Sequence, residues 1–149
     1  MWARHNRSAM RIRSGEAGVA WAAAACSLVL CIAALVLLAQ ASGASAAEQV
    51  SLQRTAAFPL SILAFAVAGA VIATRRPRNP IGWLFCGIGL TGELQAAALS
   101  YVQYAIFTAS GSPPSVAPIA WLVNTWVVVF GLVPLLFLLF PDGQLLSPR

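Results

Sequence analysis

The chain has 149 residues, of which 60% are hydrophobic and 9% charged, with a mean hydropathy of +0.82 and a formal net charge of +5. Soluble globular domains carry about a quarter charged residues, so this balance excludes an ordinary water-soluble fold and reads as a membrane protein. The nine basic residues, all Arg, stand in short blocks beside apolar runs rather than on a folded face with aromatic readers, which argues against nucleic acid as a partner.

Met1 to Ser14 holds Arg4, Arg7, Arg11 and Arg13 with His5 and no acid. Residues 1–16 read as a basic cytoplasmic arm facing anionic lipid, and His5 is given no metal or catalytic role. Ala17 to Ala41 follows without a charge, 25 residues in all, enough at 1.5 Å per residue to cross a hydrocarbon core of about 30 Å. A cleaved signal peptide is the competing reading, because Ala44-Ser45-Ala46 offers an A-x-A site; the apolar run exceeds the usual signal core of about 7 to 15 residues and favours an uncleaved anchor. Cys26, Cys31 and Cys86 lie in apolar runs and read as packing residues, with Cys26 and Cys31 pointing in different directions.

Ser42 to Thr55 reads as a small polar loop. The second span, about 56–74, places Pro59 in its first turn, where a missing N–H costs little. Ala66, Gly69, Ala70 and Ala73 give it a small-residue surface that lets membrane helices approach closely. Arg75 to Pro80 then reads as a helix-to-helix turn, since Pro77 and Pro80 both push the preceding residue out of the helical region. Arg75, Arg76 and Arg78 fix that turn on the cytoplasmic side.

The third span, about 81–107, contains the feature inside the apolar segments that asks for a chemical role. Glu93 falls about twelve residues into it, close to the expected bilayer midplane. At 100° per residue it shares a stripe with Gly82, Cys86, Gly89, Ala97, Ser100 and Tyr104; Gln103 lies near that stripe and Gln95 points away. Intramembrane acids are costly and mark proton, cation or ligand sites, or else an interhelical hydrogen bond. No basic residue lies in any span to pair with Glu93, so the neutral acid is the expected form. The formal GxGxxG match at Gly87 to Gly92 lacks the strand and soluble βαβ unit of a dinucleotide site and reads as close helix packing. After an uncharged loop at Thr108 to Ala117, a fourth span at about 118–140 holds Asn124 and a central Pro134 that is expected to kink it. Trp21, Trp83 and Trp121 fall near span ends as interfacial anchors, and Trp126 lies deeper as a packed residue.

Counting Arg across this layout puts four before the first span, three in the second connection and Arg149 after the fourth, against Arg54 alone on the other face. The expected architecture is therefore an all-α membrane protein: four transmembrane helices within residues 17–141, both termini cytoplasmic, and a tail at 142–149, in the cell membrane. The candidate intramembrane polar site is Glu93, Ser100, Gln103 and Asn124. The sequence holds no P-loop, paired catalytic carboxylates, metal-ligand cluster or Ser-His-Asp set, so no catalytic, cofactor or metal residues are assigned.

Two stretches carry a resemblance. R-R-P-R-N-P-I-G-W-L, Arg75 to Leu84, resembles the turn between the second and third helices in the membrane domains of actinobacterial sensor histidine kinases. L-L-F-P-D-G-Q-L-L-S-P-R, Leu138 to Arg149, resembles the motif after their fourth helix, with Gln144 and Leu146 where Arg and Pro are commoner. The resemblance implies a membrane-embedded sensor region of a two-component system, followed in such proteins by further spans, a phosphoacceptor helix and an ATP-binding kinase domain. The stretch to Arg149 is then expected to be a fragment, a truncated gene or a split product. It has neither a phosphoacceptor His in a helical context nor a nucleotide pocket. Expected partners are the lipid bilayer, neighbouring helices or a second copy in a homodimer, and, by resemblance, a downstream kinase region or a response regulator. The alternatives are a small proton- or cation-coupled transporter built on Glu93, and a structural or regulatory membrane subunit.

Overall fold

The computed structural model describes the backbone of residues 2–40, 46–108 and 116–139, and the side chains of residues 15–40, 56–108 and 116–139 except Thr125. Every described residue outside the turn at 76–79 is helical. The elements are α1 (Trp2–Gln40), α2 (Ala46–Arg75), α3 (Pro80–Thr108), α4 (Val116–Leu122), a 3₁₀ turn (Val123–Thr125) and α5 (Trp126–Leu139). Among the described residues three stretches are long and apolar enough to cross a membrane: Gly15–Gln40, Ala56–Arg75 and Val116–Leu139. By length alone α3 would cross as well, but Glu93, Gln95 and Gln103 leave it short of their apolarity. It is instead the most enclosed helix, packed by α1, α2 and the α4–α5 arm together.

The turn between α2 and α3 is built residue by residue. Asn79 accepts the Ile81 amide on its side-chain Oδ1 at 3.0 Å, capping α3, and Pro80 occupies the first helical position, where no N–H is needed. The Asn79 amide donates to the Arg76 carbonyl at 2.9 Å, and the Trp83 indole N–H reaches back to the Pro77 carbonyl at 3.1 Å. Arg75, Arg76 and Arg78 remain exposed around this knot.

Beyond the turn, α2 and α3 run antiparallel at backbone contact. A Cβ on Gly82 would lie 2.7 Å from the Ala73 amide nitrogen, and one on Gly69 would lie 2.5 Å from that of Cys86. The expected small-residue face is thus the real seam, with Ala66, Ala70 and Ala73 all at or below 1% exposure. Against this pair α1 lays a second seam, Ala20, Ala24, Ser27, Cys31, Ala34 and Leu38, all buried and spaced alternately by four and three residues. That spacing keeps one narrow stripe of a helix facing its neighbours. Cys26 is exposed while Cys31 is buried, as their angular separation requires.

Several expectations are corrected. Helix α2 begins at Ala46, so the stretch read as a polar loop is helical over most of its length. Ala46, Ala47, Glu48, Gln49, Leu52 and Gln53 are good helix formers that extend the helix past its apolar part. Pro59 consequently sits in the interior of α2, not in its first turn, and its ring is fully buried. Likewise α1 starts at Trp2, so the basic arm is helical backbone and His5, expected to stand outside any helical context, lies on it. The fourth apolar stretch is interrupted at Val123–Thr125, and Pro134 lies inside the helix that follows. Val, Asn and Thr are poor helix formers in sequence there, whereas a proline's missing N–H is tolerated within an otherwise apolar helix. Trp126 is 46% exposed rather than packed, and its ring meets Phe130 of the same helix edge-on at 5.3 Å. The reason is that α4 and α5 touch α3 and neither α1 nor α2, leaving most of their circumference outward. The second family-like stretch lies, from Phe140 onward, outside the described residues, as does the 109–115 connection.

Candidate functional site

Glu93 is at 0% exposure, and among the described residues neither of its carboxylate oxygens has a hydrogen-bond partner. Its position follows from the seams. On α3 the neighbouring Gly89 and Gly92 let α2 come in over this turn: a Cβ on Gly89 would lie 2.6 Å from the Ala66 amide nitrogen, and one on Gly92 would lie 2.8 Å from Ile62 Cγ2. From the other side α1 brings Cys31 within electrostatic reach of the carboxyl. One turn earlier on the same buried stripe of α1, Ser27 is also at 0% exposure with an unpartnered hydroxyl. Three helices therefore meet around the turn that carries this acid, against mostly small side chains.

The other members of the expected site separate. Ser100 is buried two turns beyond Glu93, but its hydroxyl donates to the Ala96 carbonyl of its own helix at 2.9 Å. Gln103, farther along, is half-buried with an unpartnered buried Oε1. Asn124 is exposed on the outer helix and is not brought to Glu93. Arg75, Arg76 and Arg78 lie at the turn, with Glu93 thirteen residues into α3 or about 20 Å along its axis, so they do not neutralise it.

Residues outside the expected site take part. Gln95 does point away from the Glu93 stripe, and it does so toward the outer helix, where its amide donates to the Val123 carbonyl at 2.9 Å. That carbonyl belongs to the 3₁₀ interruption, where the regular ladder is broken, so Gln95 supplies a replacement donor. The Val-Asn-Thr run signals a weak point in the outer helix, but not that Gln95 is the residue that meets it. Ser27 is the polar member of the four-three repeat on α1, a repeat that becomes visible once the buried residues are known. Within the formal GxGxxG pattern, Gly89 and Gly92 serve the α2 contact, while Gly87 faces Leu132 of α5 at an ordinary 3.6 Å.

Among the described residues no group of three His, Cys, Asp or Glu could hold a metal ion. What the arrangement offers chemically is one ionisable group, enclosed and uncompensated, at a junction of helices. Comparison with protein-family models, with curated proteins and with solved structures finds no match.

Proposed function

We propose that the chain is a membrane-embedded input module of a signalling protein, crossing the bilayer four times with both ends on the cytoplasmic side and relaying its stimulus by helix displacement. In this reading α3 is the remaining span. Its polar side chains are acceptable because the other helices surround it. The observation that carries the proposal is Glu93: a buried acid without a partner among the described residues, at the seam where α1 meets the α2–α3 pair, in a sequence with no catalytic set. Support for the two-component assignment comes from the resemblance of Arg75 to Leu84 and Leu138 to Arg149 to actinobacterial kinase membrane domains. The first of these motifs now has a structural rationale, since Asn79, Pro80, Gly82 and Trp83 each build the turn or the helix contact beside it.

The coding sequence beyond Arg149 tests the assignment. A phosphoacceptor helix and an ATP-binding domain, in frame or in the adjacent gene, are expected; their absence from both removes the kinase reading. Accessibility of single cysteines at positions 76 and 112 in sealed vesicles tests the topology, with cytoplasmic labelling expected at the first and external labelling at the second. One observation, the uncompensated Glu93, also favours a proton-coupled transporter. Glu93-dependent proton flux in liposomes would select that reading.

A further inference from the structure

We infer that Glu93 is a proton-binding site, the group through which this module registers proton availability, and that the proton is bound in the closed packing of α1 against α2 and α3. The inference rests on the membrane reading above and adds the ligand. An ionised carboxylate moved into an apolar interior without a partner is penalised by far more than a hydrogen bond recovers, so the closed packing needs a neutralising cation. The surroundings select which cation. Among the described residues, the buried side-chain oxygens left without a partner are the two of Glu93, that of Ser27 on α1 one turn before Cys31, and Gln103 Oε1 farther along α3, and the residues beside this turn of α3 are Cys31, Ile62, Ala66, Gly89 and Gly92. Sodium or calcium requires a shell of about six oxygens, whereas a proton requires one.

The groups facing Glu93 leave the titration to it. From α1 the titratable neighbour is Cys31. From α2 the residues packed on this turn of α3 are Ile62 beside Gly92 and Ala66 beside Gly89, and residues 56–74 contain nothing titratable. The outer arm, Val116 to Leu139, contains no titratable residue. Ser100 and the buried Gln103 Oε1 extend polar groups along α3 from Glu93 toward its far end, away from the Arg turn, which is the direction from which a proton can be delivered. Loss of the proton leaves a bare charge in the seam, and the least costly relief is separation of α1 from α3, which lets water reach the acid. Proton occupancy and helix position are thereby linked.

The test uses the full chain reconstituted in lipid vesicles and the apolar reagent dicyclohexylcarbodiimide. A protonated carboxylic acid adds across one C=N bond of the reagent to give an O-acylisourea, which rearranges to a stable N-acylurea readable by mass spectrometry. Glu93 is expected to be modified in preference to Glu16, Glu48 and Asp142, and above the midpoint its rate should fall roughly tenfold per pH unit. Added sodium, potassium or calcium chloride should leave the rate unchanged. An unmodified Glu93, or one modified at a pH-independent rate, overturns the inference, and protection by a metal cation replaces the proton with that ion. Retention of the chain in vesicles after an alkaline carbonate wash tests membrane insertion separately. A retained chain with an inert Glu93 therefore refutes the proton site alone, and a chain that washes off refutes the membrane reading. Cys31→Ser, which keeps the shape of the seam and removes its thiol, should preserve the labelling and its pH dependence, and loss of either places the titration on the thiol instead.

Discussion

Gly89 and Ala66 meet backbone to backbone: a Cβ on Gly89 would lie 2.6 Å from both the amide nitrogen and the Cβ of Ala66. Neither helix can yield at that point without moving as a whole. Gly89→Ala should therefore destabilise the α2–α3 pair by about 1–3 kcal/mol, the range for overpacking a tight interface. Gly87→Ala, whose new methyl would find Leu132 at 3.6 Å, is the matched control and should be close to neutral. Thermal unfolding in detergent, followed by circular dichroism, compares the two. Equal loss in both would mean that the Ala66 contact does not set the cost, since helix propensity alone would favour Ala over Gly at either position.

Glu93→Gln should insert and fold at the wild-type level, because the neutral amide approximates the shape and polarity of a protonated acid. Membrane yield and helicity measure this. Failure of the variant to accumulate in the membrane would show that the carboxyl itself, and not a neutral hydrogen-bonding group, is required for folding.

Asn79→Ala removes the acceptor for the Ile81 amide and should cost about 1 kcal/mol, the usual worth of a helix N-cap, with Asn79→Ser restoring most of it. Trp83→Phe deletes the indole donor to the Pro77 carbonyl and should cost about as much. Melting temperatures of the three variants in one detergent check the set. A stable Asn79→Ala would mean that Pro80 and the Arg76 carbonyl bond suffice to hold the turn.

Gln95→Leu leaves the Val123 carbonyl without its replacement donor, at a cost of about 0.6 kcal/mol by the average for hydrogen bonds between membrane helices. The larger effect should be local. Amide hydrogen exchange across 116–139 is expected to quicken while exchange in α2 and in Pro80 to Gly92 stays unchanged. Uniform quickening throughout would assign Gln95 to the core rather than to the outer arm.

Legibility in the sequence tracked how local each signal was. The turn could be read because Pro77, Pro80 and the Arg residues act on their own neighbours. The α2–α3 seam was visible because Ala66, Gly69, Ala70 and Ala73 recur with helical period, and Glu93 stood out as an acid in an apolar run. The start of α2 at Ala46 was missed because hydropathy ends a span where charge begins, while the backbone hydrogen bonds continue. On α1 the seam was hidden, since Val19, Trp21, Leu28, Val29 and Ile32 make its exposed side as apolar as its buried one. The partner of Gln95 was beyond reach for another reason: it depends on where a helix 28 residues later breaks.

The contacts are also unequal in what they allow to move. Between α2 and α3 the opposing surfaces are main chain at Gly69, Gly82 and Gly89, and the turn that joins them is tied at Asn79 and Trp83. That hairpin is a stator. Helix α1 rests on it through methyl-sized side chains and Ser27, Cys31 and Leu38, a surface along which a helix can slide or roll at the cost of side-chain contacts alone. The outer arm rides on the opposite flank, with Gln95 bonded at its break. A change registered at Glu93 would therefore leave the hairpin in place and travel outward in two directions, through the rider that leads back to the amino terminus and the rider that leads on toward Arg149.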